Sequence, residues 1–133
     1  MTMNALRVLS TLAVKGAVPA LAVRYATEND ARIDADFAPT LALLDRLRGG
    51  EPADVVILTR EGLDELANDG SVVRATCVDL ARSFVGIAVK AGQPHPDITS
   101  EATLRAALLA ARSVAYSRLG ASGILFAQLI ERL

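Results

Sequence analysis

The sequence contains few of the residues that build disulfides, metal sites and aromatic binding surfaces. It has one cysteine, one histidine and no tryptophan in 133 residues, and aromatic residues make up 4% of it. One cysteine excludes a disulfide framework within the chain and a cysteine-based metal site. This low aromatic content argues against a surface on which nucleic-acid bases or sugars stack. We therefore expect a function that uses neither a metal nor another cofactor.

The sequence also lacks a large net charge of either sign and a long apolar run. Fourteen basic and 15 acidic residues give a formal net charge of −1, which does not favour nucleic acid or an anionic membrane as a partner. No run approaches the roughly 20 apolar residues of a membrane span. Lys15 interrupts the apolar stretch after Arg7 before it resembles a leader. The chain as written is expected to be cytoplasmic and not inserted in a membrane, or periplasmic if a leader was removed.

The single cysteine and the single histidine are interpreted as noncatalytic. Cys77 lies between Thr76 and Val78 and is predicted to be a small core residue. His95 stands between two prolines, which is typical of an exposed loop. A cysteine nucleophile would need this histidine as its base, and the sequence gives no reason to bring the two together.

The first half of the chain repeats a strand pattern followed by a helix pattern. The strands are predicted at 6–11 ("LRVLST"), 31–38 ("ARIDADFA") and 53–59 ("ADVVILT"). In the second helix Leu41, Leu44 and Leu47 share one face, with Thr40 as the N-cap and Gly49 as the stop. Three such units in succession predict a parallel sheet with right-handed crossovers.

The second half has a weaker version of the same pattern. Strands are predicted in "FVGIAVKAG" (84–92) and "RSVAYS" (112–117). Ser100 is expected to cap the helix between them, and "LGASG" is expected to turn the chain into a last helix. We place a lobe boundary near residue 82. The predicted organisation is a first α/β lobe, 1–82, and a partial second α/β lobe, 83–133.

Hydroxyl side chains follow the predicted parallel strands. Ser10 and Thr11 end the first strand, Thr40 follows the second, and Thr59 follows the third. Ligands of such sheets bind outside the carboxyl ends of the strands. Donors without acidic neighbours suit an anion, whereas Asp34 and Asp36 are interpreted as solvated surface on the outer face of their strand. Lys15 is either a counter-charge for that anion or a cation at the rim that reaches water.

The turn "YSRLGASG" is a second candidate anion site. Ser122 and Gly123 open the last helix, whose first amides and dipole suit an oxyanion. Ser117 precedes them, and Arg118 adds a positive charge. The alternative is that Ser122 only caps the helix. The stretch does not fit G-x-S-x-G, and the sequence has no Walker motif or G-x-G-x-x-G, so neither a nucleophile elbow nor nucleotide binding is indicated.

Four segments together resemble a known family. They are "LRVLSTLAVKGAVPALAVRYA", "LLDRLRGGEPADVVILTREGLDELANDG", "FVGIAVKAGQPHPDI" and "SVAYSRLGASGILFAQLIERL". They look like the substrate-binding proteins of molybdate-type ABC transporters, which have the class 2 periplasmic-binding-protein fold. The resemblance implies an anion held in a cleft between two lobes by hydroxyls and by amides at helix N-termini. Together with the candidates taken from the residues themselves, it gives a set of ligand-binding residues: Ser10, Thr11, Lys15, Thr40, Ser117, Ser122 and Gly123.

The sequence departs from that family at two places in the first half. The serine at the start of the family's first helix aligns with Ala13, and the serine cluster after its second strand is reduced to Pro39 and Thr40. A missing hydroxyl and the added Lys15 imply a ligand other than molybdate, such as an organic carboxylate. Some proteins similar to this family are isomerases of tricarboxylates such as aconitate. An isomerase needs a base at a carbon acid, and Lys15 and Tyr116 are the candidates.

The resemblance therefore implies noncatalytic binding of a small anion, with an ABC transporter permease as a partner. The alternatives are an isomerase on the same fold, or a shortened family member that has no ligand. The family also implies that the chain continues beyond Leu133, in the middle of the second lobe. Apolar faces of the last helix would then need a cover, either the remaining polypeptide or a second copy in a homodimer. Those faces include Leu125, Leu129 and Ile130.

Overall fold

A computed structural model of the chain describes residues 4–133, so residues 1–3 of the predicted first lobe lie outside the described residues. The chain divides into two compact units, one that ends at Arg82 and one that comprises Ser83–Leu133. That these units are the two lobes of a binding protein stays a prediction.

The first unit is a parallel sheet with helices in the connections. Its elements in chain order are β1 (Asn4–Thr11), α1 (Val18–Asn29), β2 (Ala31–Ala38), α2 (Thr40–Arg48), β3 (Val55–Ile57) and α3 (Arg60–Asn68). The strand order is β2-β1-β3, and both pairs are parallel. This confirms the α/β class and the parallel sheet predicted from the repeated pattern. β3 has only three residues and is shorter than predicted.

The core of the first unit is formed by residues of β1, α2 and α3. Val8 and Leu9 of the central strand are buried, since β1 has a neighbour on each side. Leu43 of α2 and Leu66 of α3 are completely buried. The predicted helix face is right in part: Leu44 is buried and Leu47 is half-buried, whereas Leu41 is 38% exposed and Leu43 is inside instead.

Helix α1 contributes little to this core. No residue of α1 is buried. Leu21 is 60% exposed and Val23 is 70% exposed. The helix packs on β2. Its small residues Ala22 and Ala26 are half-buried, which indicates that they lie on the side that packs.

An ion-pair network fixes α2 to the sheet and to the loop before β3. Arg46 of α2 binds Asp36 of β2 at 2.6 Å and Glu51 at 2.6 Å, and Arg7 of β1 reaches the same Glu51 at 2.5 Å. Asp36 is exposed, as the interpretation of it as solvated surface predicts, but its ion pair with Arg46 was not predicted. The missed signal was Arg46, which lies near Asp36 only once α2 packs on the sheet. Hydrogen bonds from Arg46, and then from Arg7, lower the pKa of Glu51 to about 2 from an ordinary 4.5.

This network predicts a loss of stability in acid that depends on Glu51. A carboxyl whose pKa is lower in the folded state stabilises the fold above its unfolded pKa and stops doing so as the pH falls towards its folded pKa. We expect the free energy of unfolding to fall between about pH 4.5 and pH 2, and Glu51→Gln to flatten that part of the profile. Urea titrations at several pH values test this. Glu28→Gln, in an exposed pair with Arg24, should keep the wild-type profile, and an unchanged profile in Glu51→Gln would contradict the assignment.

The second unit contains two helices, α4 (Glu101–Ala110) and α5 (Ala121–Ile130). Ser100 caps α4 as predicted: its hydroxyl accepts from the Thr103 amide at 3.1 Å, and the Thr103 hydroxyl accepts from the Ser100 amide at 3.0 Å. This reciprocal arrangement satisfies two amides that would otherwise be unpaired.

The two strands predicted in the second unit are wrong. Neither 84–92 nor 112–117 forms a strand, and the three strands of the described residues all belong to the first unit. The apolar pattern alone does not make a strand, because a strand also needs a neighbour with which to exchange backbone hydrogen bonds. Residues of these segments are correspondingly exposed, with Phe84 at 90% and Val114 at 47%.

Candidate functional site

The carboxyl edge of the sheet gathers the residues predicted to bind a ligand in the first unit. β1 ends at Thr11, β2 at Ala38 and β3 at Ile57, and parallel pairing places these ends at one edge. From β1 the chain goes to β2 on one side, and from β2 it goes to β3 on the other side of β1. The connections diverge between β1 and β3, which is where ligands bind in open sheets of this kind.

Three hydroxyl residues at this edge are buried. Ser10 is 0% exposed, Thr11 is 9% exposed and Thr40 is 4% exposed. Among residues 5–133, whose burial the structure describes, they are the buried polar side chains, and we call them the hydroxyl edge. Burial of a hydroxyl costs free energy unless it is hydrogen-bonded, so the partners of these groups decide what the edge can do.

Ser10 has an internal partner and Thr40 has none. The Ser10 hydroxyl donates to the Thr11 carbonyl at 3.1 Å. The Thr40 Oγ1 is buried and finds no hydrogen-bond partner in the described structure. In native proteins the large majority of buried polar side-chain atoms are hydrogen-bonded. Thr40 therefore retains an unused donor and acceptor at the edge where the sequence predicts an anion.

The prediction that Thr40 caps α2 is wrong. The N-cap is Pro39, with an extended backbone (φ −60°, ψ 150°), and Thr40 is already the first helical residue. Proline has no side-chain acceptor, so no side chain caps this helix. Leu43 is the first residue whose amide donates to the preceding turn, to the Pro39 carbonyl at 3.1 Å. The amides before it have no intrahelical acceptor and are available to a ligand.

The other two helix starts after strands differ from this one. Thr59 caps α3, because its hydroxyl accepts from the Gly62 amide at 3.3 Å. After β1 a short turn of 3-10 helix, residues 12–14, precedes α1. Lys15 follows that turn and is exposed, and its side chain forms no ion pair within residues 4–133. Lys15 therefore lies three residues before α1 and not at the start of that helix.

The "YSRLGASG" turn forms a separate candidate site in the second unit. The Ser117 hydroxyl accepts from the Gly120 amide at 3.0 Å, and Gly120 is the N-cap of α5. Ser122 is therefore not the cap; it is the second helical residue and is exposed. Gly123 is buried directly against the Ser117 backbone. Its amide donates to the Gly120 carbonyl at 3.1 Å, so the structure gives Gly123 a packing role.

A cavity of about 310 Å³ lies beside this turn. Ser117, Arg118 and Gly123 line it with Tyr116, whose ring is 5.1 Å from the ring of Phe126. The structure thus brings Ser117, Gly123 and the candidate base Tyr116 together, whereas Ser122 is not among the lining residues. Ligand binding by any of the predicted residues, in either unit, stays a prediction.

Sequence reasoning missed a second group of charged residues in the first unit. Arg60, Asp79 and Arg82 line one cavity, although no sequence motif connects them. The available signal was Arg60, which follows β3 closely at the edge where ligands are expected. The pairing of Arg60 with Asp79, 19 positions later, could not be predicted from spacing.

Comparison with family models assigns the chain to a family of ligand-binding proteins. A family model described as "Bacterial extracellular solute-binding protein" matches residues 6–133, which is nearly the whole chain. The chain is a member of that family, and its fold is the mixed α/β type expected for part of a periplasmic-binding-protein-like lobe.

Among curated proteins the chain is similar to an aconitate isomerase from Pseudomonas sp. The two are 35% identical over 130 residues, which cover 94% of this chain and 49% of that protein. The chain thus spans about half the length of the curated relative it matches. Within the described part of the chain, no helix is both long enough and apolar enough to span a bilayer.

Proposed function

We propose that this chain binds a small organic anion with several carboxylates, and that the hydroxyl edge of the first unit supplies donors to it. Membership of a solute-binding family supports a small-molecule ligand. The observation that carries the proposal is the Thr40 hydroxyl, buried without a partner at the first turn of an uncapped helix.

Thr40 and the start of α2 together offer an anion several donors. The free amides of the first helical turn carry the positive end of the helix dipole. The Thr40 hydroxyl adds a hydrogen bond of the charge-assisted kind, which is stronger than a neutral one. Because Oγ1 is itself covered, a ligand reaches it only if the surrounding turn opens. Binding is therefore expected to be coupled to a local rearrangement at the start of α2.

A polycarboxylate is favoured over molybdate by two observations. The similar Pseudomonas protein is named for aconitate, a tricarboxylate. In addition, Lys15 follows the first strand with its charge exposed and without an ion-pair partner in the described residues, whereas Ala13 replaces the serine expected of a molybdate binder. A tricarboxylate has more charge to neutralise than a tetrahedral dianion, so an added cation near the site fits it better.

Replacement of Thr40 separates a role in binding from a role in folding. Thr40→Val keeps the shape and removes the unpaired hydroxyl. Such a group costs about 1–3 kcal/mol when it is buried without a partner, so the variant should unfold at equal or higher urea concentration. Its affinity for trans-aconitate should fall by about tenfold or more, which is the value of a lost hydrogen bond to a charged group. Calorimetric titration and urea denaturation measure the two effects.

The matched control is Thr27→Val, which changes an exposed threonine of α1 whose hydroxyl donates to the Arg24 carbonyl at 2.7 Å. It should leave the affinity unchanged. The proposal fails if Thr40→Val binds as tightly as the wild type, or if it loses stability and affinity together, since that would make Thr40 a purely structural residue.

Isomerisation of a tricarboxylate is the second candidate function, favoured by the name of the similar protein. This reaction moves a proton between carbon atoms and needs a base within hydrogen-bonding reach of the substrate. Tyr116 lines the cavity beside the "YSRLGASG" turn with Arg118, and Lys15 is exposed after the 3-10 turn. Transport of the ligand through an ABC-type permease, a periplasmic location and a homodimer that covers exposed apolar faces remain proposals for the whole protein.

A further inference from the structure

A cavity of about 400 Å³ in the first unit has no part in the function proposed so far. Two guanidinium groups and one carboxylate provide its charges, so that it has an excess of one positive charge. Leu80 and Ala81 add apolar surface to it, and Leu80 is 66% exposed. We call it the arginine cavity. Its lining residues are Arg60, Asp79, Leu80, Ala81 and Arg82.

One residue of the arginine cavity, Arg60, lies just beyond the edge of the sheet that carries the buried hydroxyls. Arg60 is the first residue of α3 and comes three positions after Ile57, the end of β3. β3 pairs in parallel with β1, which ends at Ser10 and Thr11. Arg60 therefore follows one of the two strands between which the connections diverge, where ligands of such sheets bind.

The ion pair inside the cavity is easily opened. Arg60 binds Asp79, and their side chains are 57% and 74% exposed. Exposed ion pairs contribute little to stability because water already solvates both charges. A second carboxylate can therefore replace Asp79 on Arg60 at little cost. Arg82 forms no ion pair within residues 4–133, so its charge is available to the same ligand.

We propose that Arg60 and Arg82 form a carboxylate subsite in which Asp79 holds Arg60 until a carboxylate of the ligand displaces it. This inference rests on the proposed function, since it assigns one carboxylate of the polycarboxylate ligand to the arginine cavity. The planar guanidinium of Arg60 presents two parallel donors that match the two oxygens of a carboxylate. Asp79 then acts as an internal competitor that lowers the affinity for every ligand that uses this subsite.

If Asp79 competes with the ligand for Arg60, removal of its negative charge should tighten ligand binding. Asp79→Asn should bind trans-aconitate about two- to fivefold more tightly than the wild type, the range expected for release of an exposed ion pair. Arg60→Gln should weaken binding by about two- to fivefold, since Arg60 is exposed and water competes for its charge. Isothermal titration calorimetry at constant salt measures both changes.

The matched controls come from a similar ion pair outside the cavity. Arg48 and Glu65 join α2 to α3 at 2.5 Å, with side chains 48% and 55% exposed. Glu65→Gln and Arg48→Gln change the net charge as much as the test variants do, and both should bind as the wild type does. Equal affinities in Asp79→Asn and Glu65→Gln would overturn the inference, because the tighter binding would then reflect net charge alone.

Failure of this inference can be distinguished from failure of the proposed function. If the wild type binds trans-aconitate and Arg60→Gln binds it equally well, the subsite is wrong and the proposed function stands. If the wild type binds no polycarboxylate, both are wrong. Should Arg60→Gln fail to fold, Arg60→Lys keeps the charge but loses the paired donors, and it should still bind more weakly than the wild type.

Discussion

Gly123→Ala is expected to disrupt the start of α5 and with it the second unit. A Cβ at this position would overlap the backbone carbonyl of Ser117. Main-chain atoms cannot rotate away as the end of a flexible side chain can, so the turn between Ser117 and α5 would have to open. Forced overlap of this kind typically costs about 1–3 kcal/mol or more. The expected observations are a lower melting temperature and a loss of α-helical circular dichroism.

Gly62→Ala is the matched control, because Gly62 occupies the same third position in α3 that Gly123 occupies in α5. A Cβ at Gly62 would meet only side-chain atoms, the closest being the Thr59 Oγ1 at 3.4 Å. Alanine is favoured over glycine within helices by about 1 kcal/mol, so this variant should be neutral or more stable. The two glycines should thus respond with opposite signs. Equal stability of Gly123→Ala and the wild type would contradict the close approach of Ser117.

Leu9→Ala is expected to remove a large part of the stability of the first unit. Leu9 is completely buried in the central strand, and few large apolar side chains are buried beside it. Truncation of a buried leucine to alanine costs about 2–5 kcal/mol, through lost burial and the cavity that remains. Since small domains are stable by only about 5–15 kcal/mol, the urea midpoint should fall clearly.

The comparison for this prediction is Leu41→Ala in α2, where the side chain is 38% exposed. Its effect should be much smaller, because part of its surface already contacts water. The sequence pattern placed Leu41 in the core, whereas the structure places Leu43 there. The effect of Leu41→Ala therefore also tests which face of α2 is turned to the core. A larger loss in Leu41→Ala than in Leu9→Ala would mean that the core is assigned incorrectly.

The sequence was sufficient for the α/β class and the parallel sheet of the first unit because its signals there are local. The run "LRVLST" and the alternation in "ARIDADFA" each predict a strand over a few neighbouring residues, and a helix pattern follows each. Such alternation leaves few topologies other than a parallel sheet. In the second unit the same kind of signal failed at 84–92, because a strand depends on a neighbour that local pattern does not reveal.

The sequence predicted which types of residue form the candidate site, but not which of their side chains would already be hydrogen-bonded or ion-paired. Hydroxyls after the first two strands were expected, and the structure places them at one edge of the sheet. That Ser10 is satisfied internally whereas Thr40 is not depends on Pro39, which takes the N-cap position and leaves Thr40 inside the helix. The pairing of Arg60 with Asp79 depends on how the chain returns after α3, and no local pattern encodes that return.

The central claim is that this chain binds a small organic polycarboxylate, and titration of the purified chain with trans-aconitate tests it most directly. Isothermal titration calorimetry should give saturable binding of trans-aconitate and little or no heat with molybdate under the same conditions. Proton NMR of the same sample after incubation shows whether the ligand has also been isomerised. Absence of saturable binding by any tricarboxylate, or binding of molybdate alone, would contradict the account.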